Sequence, residues 1–336
     1  MTTIGQRRGA AATAMLGLGV YRPERVVSND EVCEVLDSSD EWIQTRSGIR
    51  TRRYAGADES LVEMATRAAR RALDASGVGA DELGALIVAT STHAQHTPAA
   101  APVVADQLGS RAASFDVSAG CAGFCHALSV GSDLVRGGSA QYVVVIGVEK
   151  LSLFLDPTDR STAFIFGDGA GAVVVGPADV AGIGPVAWGS DGSQSHVIRQ
   201  EPGCQDVDPH HPMVVRMEGT AVFRWAPFAM ADVAREAVAA AGLTMADLDA
   251  FIPHQANLRI TETLARNLKL PDEIAVARDV QDSGNTSAAS VPLAIDAMVR
   301  KGEAKPGDTA LLIAFGAGLS YAAQLVSLPP IAAPSV

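Results

Sequence analysis

Cys121 lies in the run Phe115-Asp116-Val117-Ser118-Ala119-Gly120-Cys121-Ala122-Gly123-Phe124, where an apolar, strand-like stretch ends in small residues. A helical pattern begins at Cys121 and runs to Leu134 with apolar side chains on one face. A cysteine in the first turn of a helix faces unpaired backbone N–H groups and the positive end of the helix dipole. Both favour the thiolate, which is the nucleophilic form. The chemistry on offer is attack on a carbonyl carbon; the plain alternative is a buried core thiol. Three other segments carry groups suited to such a reaction. His254, in Phe251-Ile252-Pro253-His254-Gln255-Ala256-Asn257, is placed to act as a base or a hydrogen-bond donor, or is a structural histidine. Asn285, in the polar loop Asp282-Ser283-Gly284-Asn285-Thr286-Ser287, offers an amide to a substrate oxygen, or serves as a turn residue or helix cap. Phe315-Gly316-Ala317-Gly318 lets backbone N–H groups approach a ligand closely, or is an ordinary tight turn. No Gly-x-Gly-x-x-Gly stands between a strand and a helix with a following acid, so dinucleotide binding has no support.

The elements that must position these residues are strands and helices in alternation. Ala85–Ala89, Tyr142–Ile146, Ala172–Val175 and Ala310–Ala314 are continuous apolar runs, as expected for strands buried on both faces. Leu61–Ser76 and Ala229–Ala241 read as helices, giving an α/β fold. The chain also repeats itself. Helix, glycine stop, acidic turn and strand around Gly77 and Leu83 recur around Gly242 and Leu248, each 165 residues later. Phe166-Gly167-Asp168-Gly169-Ala170-Gly171 is echoed by Phe315-Gly316-Ala317-Gly318-Leu319, 149 residues later. So long a period does not make a solenoid; it indicates two similar halves in one globule. The halves are 12–178, with Cys121, and 179–330, with His254 and Asn285. Equivalent strand ends then meet near a pseudo-twofold axis, and ligands in open α/β sheets bind beyond strand carboxyl ends.

Composition sets the outer bounds. The 336 residues are 48% hydrophobic, with formal net charge −12 and no basic tract, which argues against generic nucleic-acid binding. No apolar run of about 18 residues is free of polar breaks, so no membrane span is expected. Met1–Ala11 carries Arg7 and Arg8 but lacks a clean cleavage site, and reads as a frayed start leading into a strand. Cys33, Cys121, Cys125 and Cys204 form no paired pattern, which fits a reducing cytoplasm. They have no metal-ligand spacing with the histidines, so no metal site is expected. Cys125, one turn after Cys121, reads as a buried thiol rather than a redox partner. His126, His210 and His211 read as structural or solvated.

Cys121 in Ser-Ala-Gly-Cys-Ala-Gly-Phe, His254 in Pro-His-Gln-Ala-Asn and Asn285 in Gly-Asn-Thr-Ser-Ala-Ala-Ser together resemble the triad of the β-ketoacyl-acyl-carrier-protein synthase III family. The resemblance runs from about Gly17 to Leu328 and includes Ser38–Ile43, Thr45–Ile49 and Phe166–Gly171. It implies the thiolase fold, with duplicated halves in a five-layer α-β-α-β-α core, and a homodimer. It further implies that Cys121 is acylated by a primer acyl-CoA, with the N–H groups of Cys121 and Gly318 as oxyanion hole. His254 and Asn285 then stabilise the enolate left when malonyl-acyl-carrier-protein loses CO2, and no metal or redox cofactor takes part. Trp42 and Arg160 would sandwich the adenine of CoA, with Arg46 near its phosphates and Gly219 and Phe223 along the pantetheine tunnel. Arg224, Arg259, Arg266 and Lys269 would dock the acidic carrier protein, which at net charge −12 requires locally concentrated positive charge.

The segment with Thr97 matches one that caps the partner subunit's acyl pocket. A small residue there predicts primers larger than acetyl. Ala317 departs from a glycine common in the family and is expected to be tolerated unless its φ is positive. Alternatives remain within and beyond this reading. They are a ketosynthase priming a type II polyketide pathway, an acyltransferase without condensation, and a catalytically silent partner of a heterodimer. A thiolase would need a cysteine after Cys204, and a hydroxymethylglutaryl-CoA synthase a glutamate acid/base that no motif supplies.

Overall fold

The computed structural model describes residues 4–5, 7–208 and 210–333. Of the N-terminal stretch expected to be frayed, residues 1–3 and 6 lie outside the described residues. The first sheet is built from β1 (Ala12–Tyr21), β2 (Leu83–Ala89), β3 (Ala113–Val117), β4 (Tyr142–Glu149) and β5 (Gly169–Ala178), in the order β1-β5-β4-β2-β3. The second contains β6 (Ile183–Ser190), β7 (Ala250–Pro253), β8 (Ala275–Val276), β9 (Thr309–Gly316) and β10 (Ser320–Ser327), in the order β6-β10-β9-β7-β8. Strand sense matches as well as order. The last strand of each half lies between the first and fourth and runs antiparallel to both, and the other four strands share one direction.

Helices α1 (Asp40–Ser47), α2 (Leu61–Ser76), α3 (Ala100–Leu108), α4 (Gly123–Arg136), α5 (Gly219–Ala240), α6 (Leu258–Leu268) and α7 (Ser290–Lys301) complete the frame. The central core is shared by both halves. Phe124, Ala127 and Leu128 of α4 and Val291, Leu293 and Ile295 of α7 fill the space between the inner faces of the two sheets. Outside the first sheet lies α2, whose Ala65, Ala68, Ala69 and Ala72 bring its axis close to the strands. Outside the second lie α5 and α6. Five layers result, in the sense α-β-α-β-α.

The repeated helix stops are visible as backbone geometry. Gly77 and Gly242 adopt φ of 72° and 73°, and short 3-10 turns at Ala80–Glu82 and Met245–Asp247 lead into β2 and β7. Ser60 caps α2 by accepting from Glu63 N at 3.1 Å. One boundary differs from the sequence reading: α5 starts ten residues before Ala229 and contains Pro227. A proline inside a helix reads as a stop because it removes one N–H and crowds the preceding turn. Here the Pro227 carbonyl gains a side-chain donor, Asn267 Nδ2, at 2.8 Å, and neighbouring Ala226 is fully buried.

Candidate active site

A cavity of about 370 Å³ opens where the two halves meet, lined by Ser118–Cys121 of the first half and by His254, Asn285, Ser287, Phe315 and Gly318 of the second. Cys121, His254 and Gly318 arrive just beyond the carboxyl ends of strands, and Asn285 and Ser287 follow the short helix Val280–Ser283. Cys121 follows β3, in a 3-10 turn at Gly120–Ala122, so it sits just ahead of α4 rather than within its first turn. That turn packs against the end of β9. A side-chain carbon at Gly316 would lie 2.5 Å from Cys121 N, so only glycine allows the approach. Gly318 adopts φ 133° at the turn into β10. Ala317 is not among the residues with positive φ, so its methyl group fits the backbone.

The Cys121 environment corrects the expectation of a stabilised thiolate. Burial pushes its thiol up to about 12; the Ser287 hydroxyl acts in the opposite sense, and the charge of Glu149 adds to the rise. The side chain is only half-buried by accessible surface, because it faces the cavity. Cys121 is therefore a thiol at neutral pH, since desolvation outweighs the helix terminus one residue away. Cys125 is fully buried, and burial likewise raises its thiol to about 12.

His254 follows β7 and donates its backbone N–H to Ile313 O at 2.7 Å. Its ring packs edge-on against Phe315 at 5.5 Å. Burial lowers its pKa to about 3, so the imidazole is neutral at any physiological pH. Nδ1 lies 2.7 Å from Ser290 Oγ, which also accepts from Gln255 N at 3.4 Å. Among the described residues Nδ1 is the one acceptor bonded to the Ser290 hydroxyl, so that proton is assigned to Nδ1, which puts the ring proton on Nε2. His254 is then a hydrogen-bond donor toward the cavity.

Asn285 is fixed by its backbone N–H to Ile165 O (2.9 Å) and its carbonyl from Gly167 N (3.0 Å). Its side-chain Oδ1 accepts from Ser287 N at 2.8 Å, which leaves Nδ2 to donate elsewhere. Ser287 itself holds φ 48°, an uncommon conformation for a non-glycine residue. Ser287 and Ser290 carried no signal in the sequence beyond their place near Asn285. Glu149 was also missed. It is a fully buried carboxylate at the end of β4, bonded to Ser287 Oγ at 3.0 Å. Its one trace in the sequence is a charged residue closing the apolar run Tyr142–Val148.

The remaining expected residues lie outside this cavity, in two groups and, for Thr97, on a separate loop. Trp42 and Arg46 on α1 meet the start of α6, where Asn257 Nδ2 donates to Arg46 O at 3.1 Å. Arg259 then covers the Phe223 ring at 5.0 Å, with Gly219 and exposed Arg224 on the same turns of α5. Arg160 stacks directly on Trp42, 5.1 Å from the ring centroid, and pairs with Asp37 at 3.6 Å. An intervening base would need about 7 Å, so Arg160 has to swing out to admit one. Arg266 and Lys269 lie away from the rim, in a surface groove of about 880 Å³ shared with Glu262, Asp272, Glu273 and Glu303. Positive charge is not concentrated in that groove. Thr97 is exposed on the loop between β2 and α3 and does not line the cavity of its own chain.

His126 stacks on Trp188 at 5.5 Å, and exposed His211 pairs with Asp208 at 3.0 Å. Among the described residues no cluster of His, Cys, Asp and Glu is arranged to hold a metal ion, and no helix is long and apolar enough to cross a membrane.

Comparison with known proteins agrees with this geometry. Residues 115–192 match the 3-oxoacyl-acyl-carrier-protein synthase III family model, and 238–328 match the model of its C-terminal part. The chain is 54% identical to a beta-ketoacyl-acyl-carrier-protein synthase III of Mycobacteroides abscessus, over 98% of this chain and 99% of that protein. It is 53% identical, with the same coverage, to the mycobacterial beta-ketoacyl-acyl-carrier-protein synthase III of Mycobacterium tuberculosis. Among solved structures it resembles the priming β-ketosynthase of the R1128 polyketide pathway, at TM-score 0.94 and 47% identity, covering 97% of this chain and 98% of that one. It also resembles the 3-oxoacyl-acyl-carrier-protein synthase III of Pseudomonas aeruginosa, at TM-score 0.88 and 39% identity, covering 96% of this chain and 100% of that one. With its duplicated sheets and with relatives above half identity across nearly its full length, the chain belongs to the β-ketoacyl-acyl-carrier-protein synthase III family of thiolase-fold acyltransferases.

Proposed function

We propose that the protein condenses an acyl-CoA primer with malonyl-acyl-carrier-protein through an acyl-Cys121 intermediate, as the first step of fatty-acid synthesis. The observation that carries this is the meeting of Cys121, His254 and Asn285 in one cavity, with both second-half residues presenting donors. The Cys121 sulfur attacks the primer thioester carbon and CoA leaves as the thiol. The N–H groups of Cys121 and Gly318 receive the oxyanion. The malonyl group then loses CO2, and its thioester oxygen takes the enolate charge against His254 Nε2–H and Asn285 Nδ2–H. The enolate carbon attacks acyl-Cys121 and expels the thiolate, leaving a β-ketoacyl carrier protein. Loss of CO2 supplies the carbanion, so no metal or redox cofactor is required. A neutral histidine suits this role, because the buried site would resist an imidazolium.

Trp42, Arg46, Arg160, Gly219 and Phe223 are assigned to CoA on the rim, and Arg224 and Arg259 to the carrier protein. Arg266 and Lys269 have weaker support for docking, given the four carboxylates around them. The chain works as a homodimer. β3 is an edge strand, its Phe115 is 38% exposed, and unpaired edges invite a second copy. Asp116 of β3 anchors the start of α3 through Ala100 N and Ala101 N, so the Thr97 loop lies beside that edge, where it can reach a partner's pocket. Small Thr97 then favours primers larger than acetyl. Four free cysteines fit a reducing cytoplasm. The likeness to a priming polyketide ketosynthase supports a second reading, in which the same condensation starts a polyketide chain.

The test is intact mass spectrometry with a panel of acyl-CoAs, followed by malonyl-acyl-carrier-protein. Acylation lost in Cys121→Ala and discharged by the malonyl carrier supports both half-reactions. Acylation that persists in Cys121→Ala overturns the assignment.

A further inference from the structure

Glu149 is the one ionisable group beside Cys121 that this scheme leaves idle. Its carboxylate accepts from Thr90 Oγ1 (3.2 Å), Ser91 N (3.1 Å to Oε2), Ser91 Oγ (3.0 Å), Thr92 Oγ1 and Ser287 Oγ (3.0 Å). The threonine hydroxyls are themselves acceptors, Thr92 Oγ1 from Lys150 N and Thr90 Oγ1 from Thr92 N, so their protons are free for Glu149. This donor set is that of an ionised carboxylate. Burial nevertheless raises its affinity for a proton. Two charged neighbours are turned elsewhere: Lys150 Nζ to the carbonyl oxygens of Gly56 and Glu59, and Asp168 to Ser152 and Ala55. Cys121 is the titratable group that faces this pair. Its turn packs on the turn of Ser287, and both residues line the same cavity, where the Ser287 hydroxyl lowers the thiol's affinity for its proton.

Ser287 has a single hydroxyl proton. While it donates that proton to Glu149, it shows a lone pair to the thiol. His254, with Nε2 protonated, is a donor and cannot serve as acceptor. We infer that Glu149, acting through Ser287, takes up the Cys121 thiol proton as the primer thioester is attacked. The thiol proton moves to Ser287 Oγ, and the serine proton moves to Glu149 Oε1. Thiol and carboxylate become thiolate and carboxylic acid, and their joint charge stays at minus one. Ser287 then donates to the thiolate it has created. Glu149 is a positioning residue in this scheme, touching the sulfur only through Ser287. The inference rests on Cys121 being the acylated residue.

The pH profile of Cys121 alkylation by iodoacetamide, located by peptide mass, tests it in the wild type, Glu149→Gln and Ser287→Ala. Through the relay, wild-type reactivity stays flat between about pH 6 and 8, because proton transfer to an internal base needs no exchange with solvent. Both variants should lose that flat region. Their rates should fall about tenfold for each pH unit below the thiol midpoint, while reactivity at high pH stays within about twofold of wild type. The double variant should be no slower than either single one. Removing a repelling charge alone would make Glu149→Gln faster at neutral pH, and that result overturns the inference. So do coincident profiles, or a uniform loss at every pH, which marks packing damage. If Glu149→Gln does not fold, Ser287→Ala carries the same measurement. Labelling at a residue other than Cys121 instead overturns the acyl-cysteine reading itself.

Discussion

At the scale of the residue, the site depends on what burial does to each group. Cys121 and His254 are moved in opposite senses along the pH axis by the same desolvation, one to about 12 and the other to about 3. Neither is charged at pH 7, which suits a cavity that must admit an apolar acyl chain. Ser287 N occupies Asn285 Oδ1, so the group that Asn285 can offer in the proposed condensation is Nδ2–H. Asn285→Ala should therefore leave acylation of Cys121 intact and slow condensation by about a hundredfold or more, read as acyl-enzyme that malonyl carrier fails to discharge. For His254 the linkage runs through acid stability. The unfolded chain binds a proton near pH 6.5, while the folded chain does not until about 3. Stability is thus lost as pH falls through that window, by up to about 1.4 kcal/mol per unit. His254→Gln should show a shallower decline in Tm between pH 6.5 and 4.5 than wild type. An identical decline would mean that His254 is not held neutral by burial.

At the scale of the element, the site is made by strand ends and the turns beyond them. The turn of Cys121 sits against β9 only because Gly316 has no side chain, so Gly316→Ala should displace it and abolish acylation while the far-ultraviolet circular dichroism stays unchanged. The rim is a different kind of structure, with aromatic rings covered by guanidinium groups on α1, α5 and α6. Trp42→Ala should raise the KM for acyl-CoA several-fold with little change in kcat, since its proposed contact is with the part of the substrate remote from the reacting carbon. Much of this scale was legible in the sequence. Apolar runs marked the buried strands, and glycine stops marked the ends of α2 and α5. The start of α5 was not legible, because Pro227 reads as a break until Asn267 and the packing of its neighbours are seen.

At the scale of the whole molecule, duplication explains why a reaction centre forms between the halves. Each sheet directs the carboxyl ends of its parallel strands to the same seam, and the shared helical layer of α4 and α7 holds the two sheets together. The free edge of β3 leaves the molecule open to a second copy. Phe115→Lys should yield monomers in size-exclusion chromatography with light scattering, and should weaken acylation by long primers if the Thr97 loop completes the partner's pocket. An unchanged dimer mass would place the interface elsewhere.

The sequence by itself determined the alternation of strands and helices, the duplication and the three segments that carry Cys121, His254 and Asn285. These are local patterns, and local patterns are set by periodicity, turn residues and strand ends. Only the tertiary structure decided that Cys121 rests as a thiol, that His254 presents Nε2–H, that Arg160 closes over Trp42, and that Glu149 stands behind Ser287. The Glu149 contact joins residues 138 positions apart. Protonation here follows from desolvation and from partners in space, and neither has a signature along the chain.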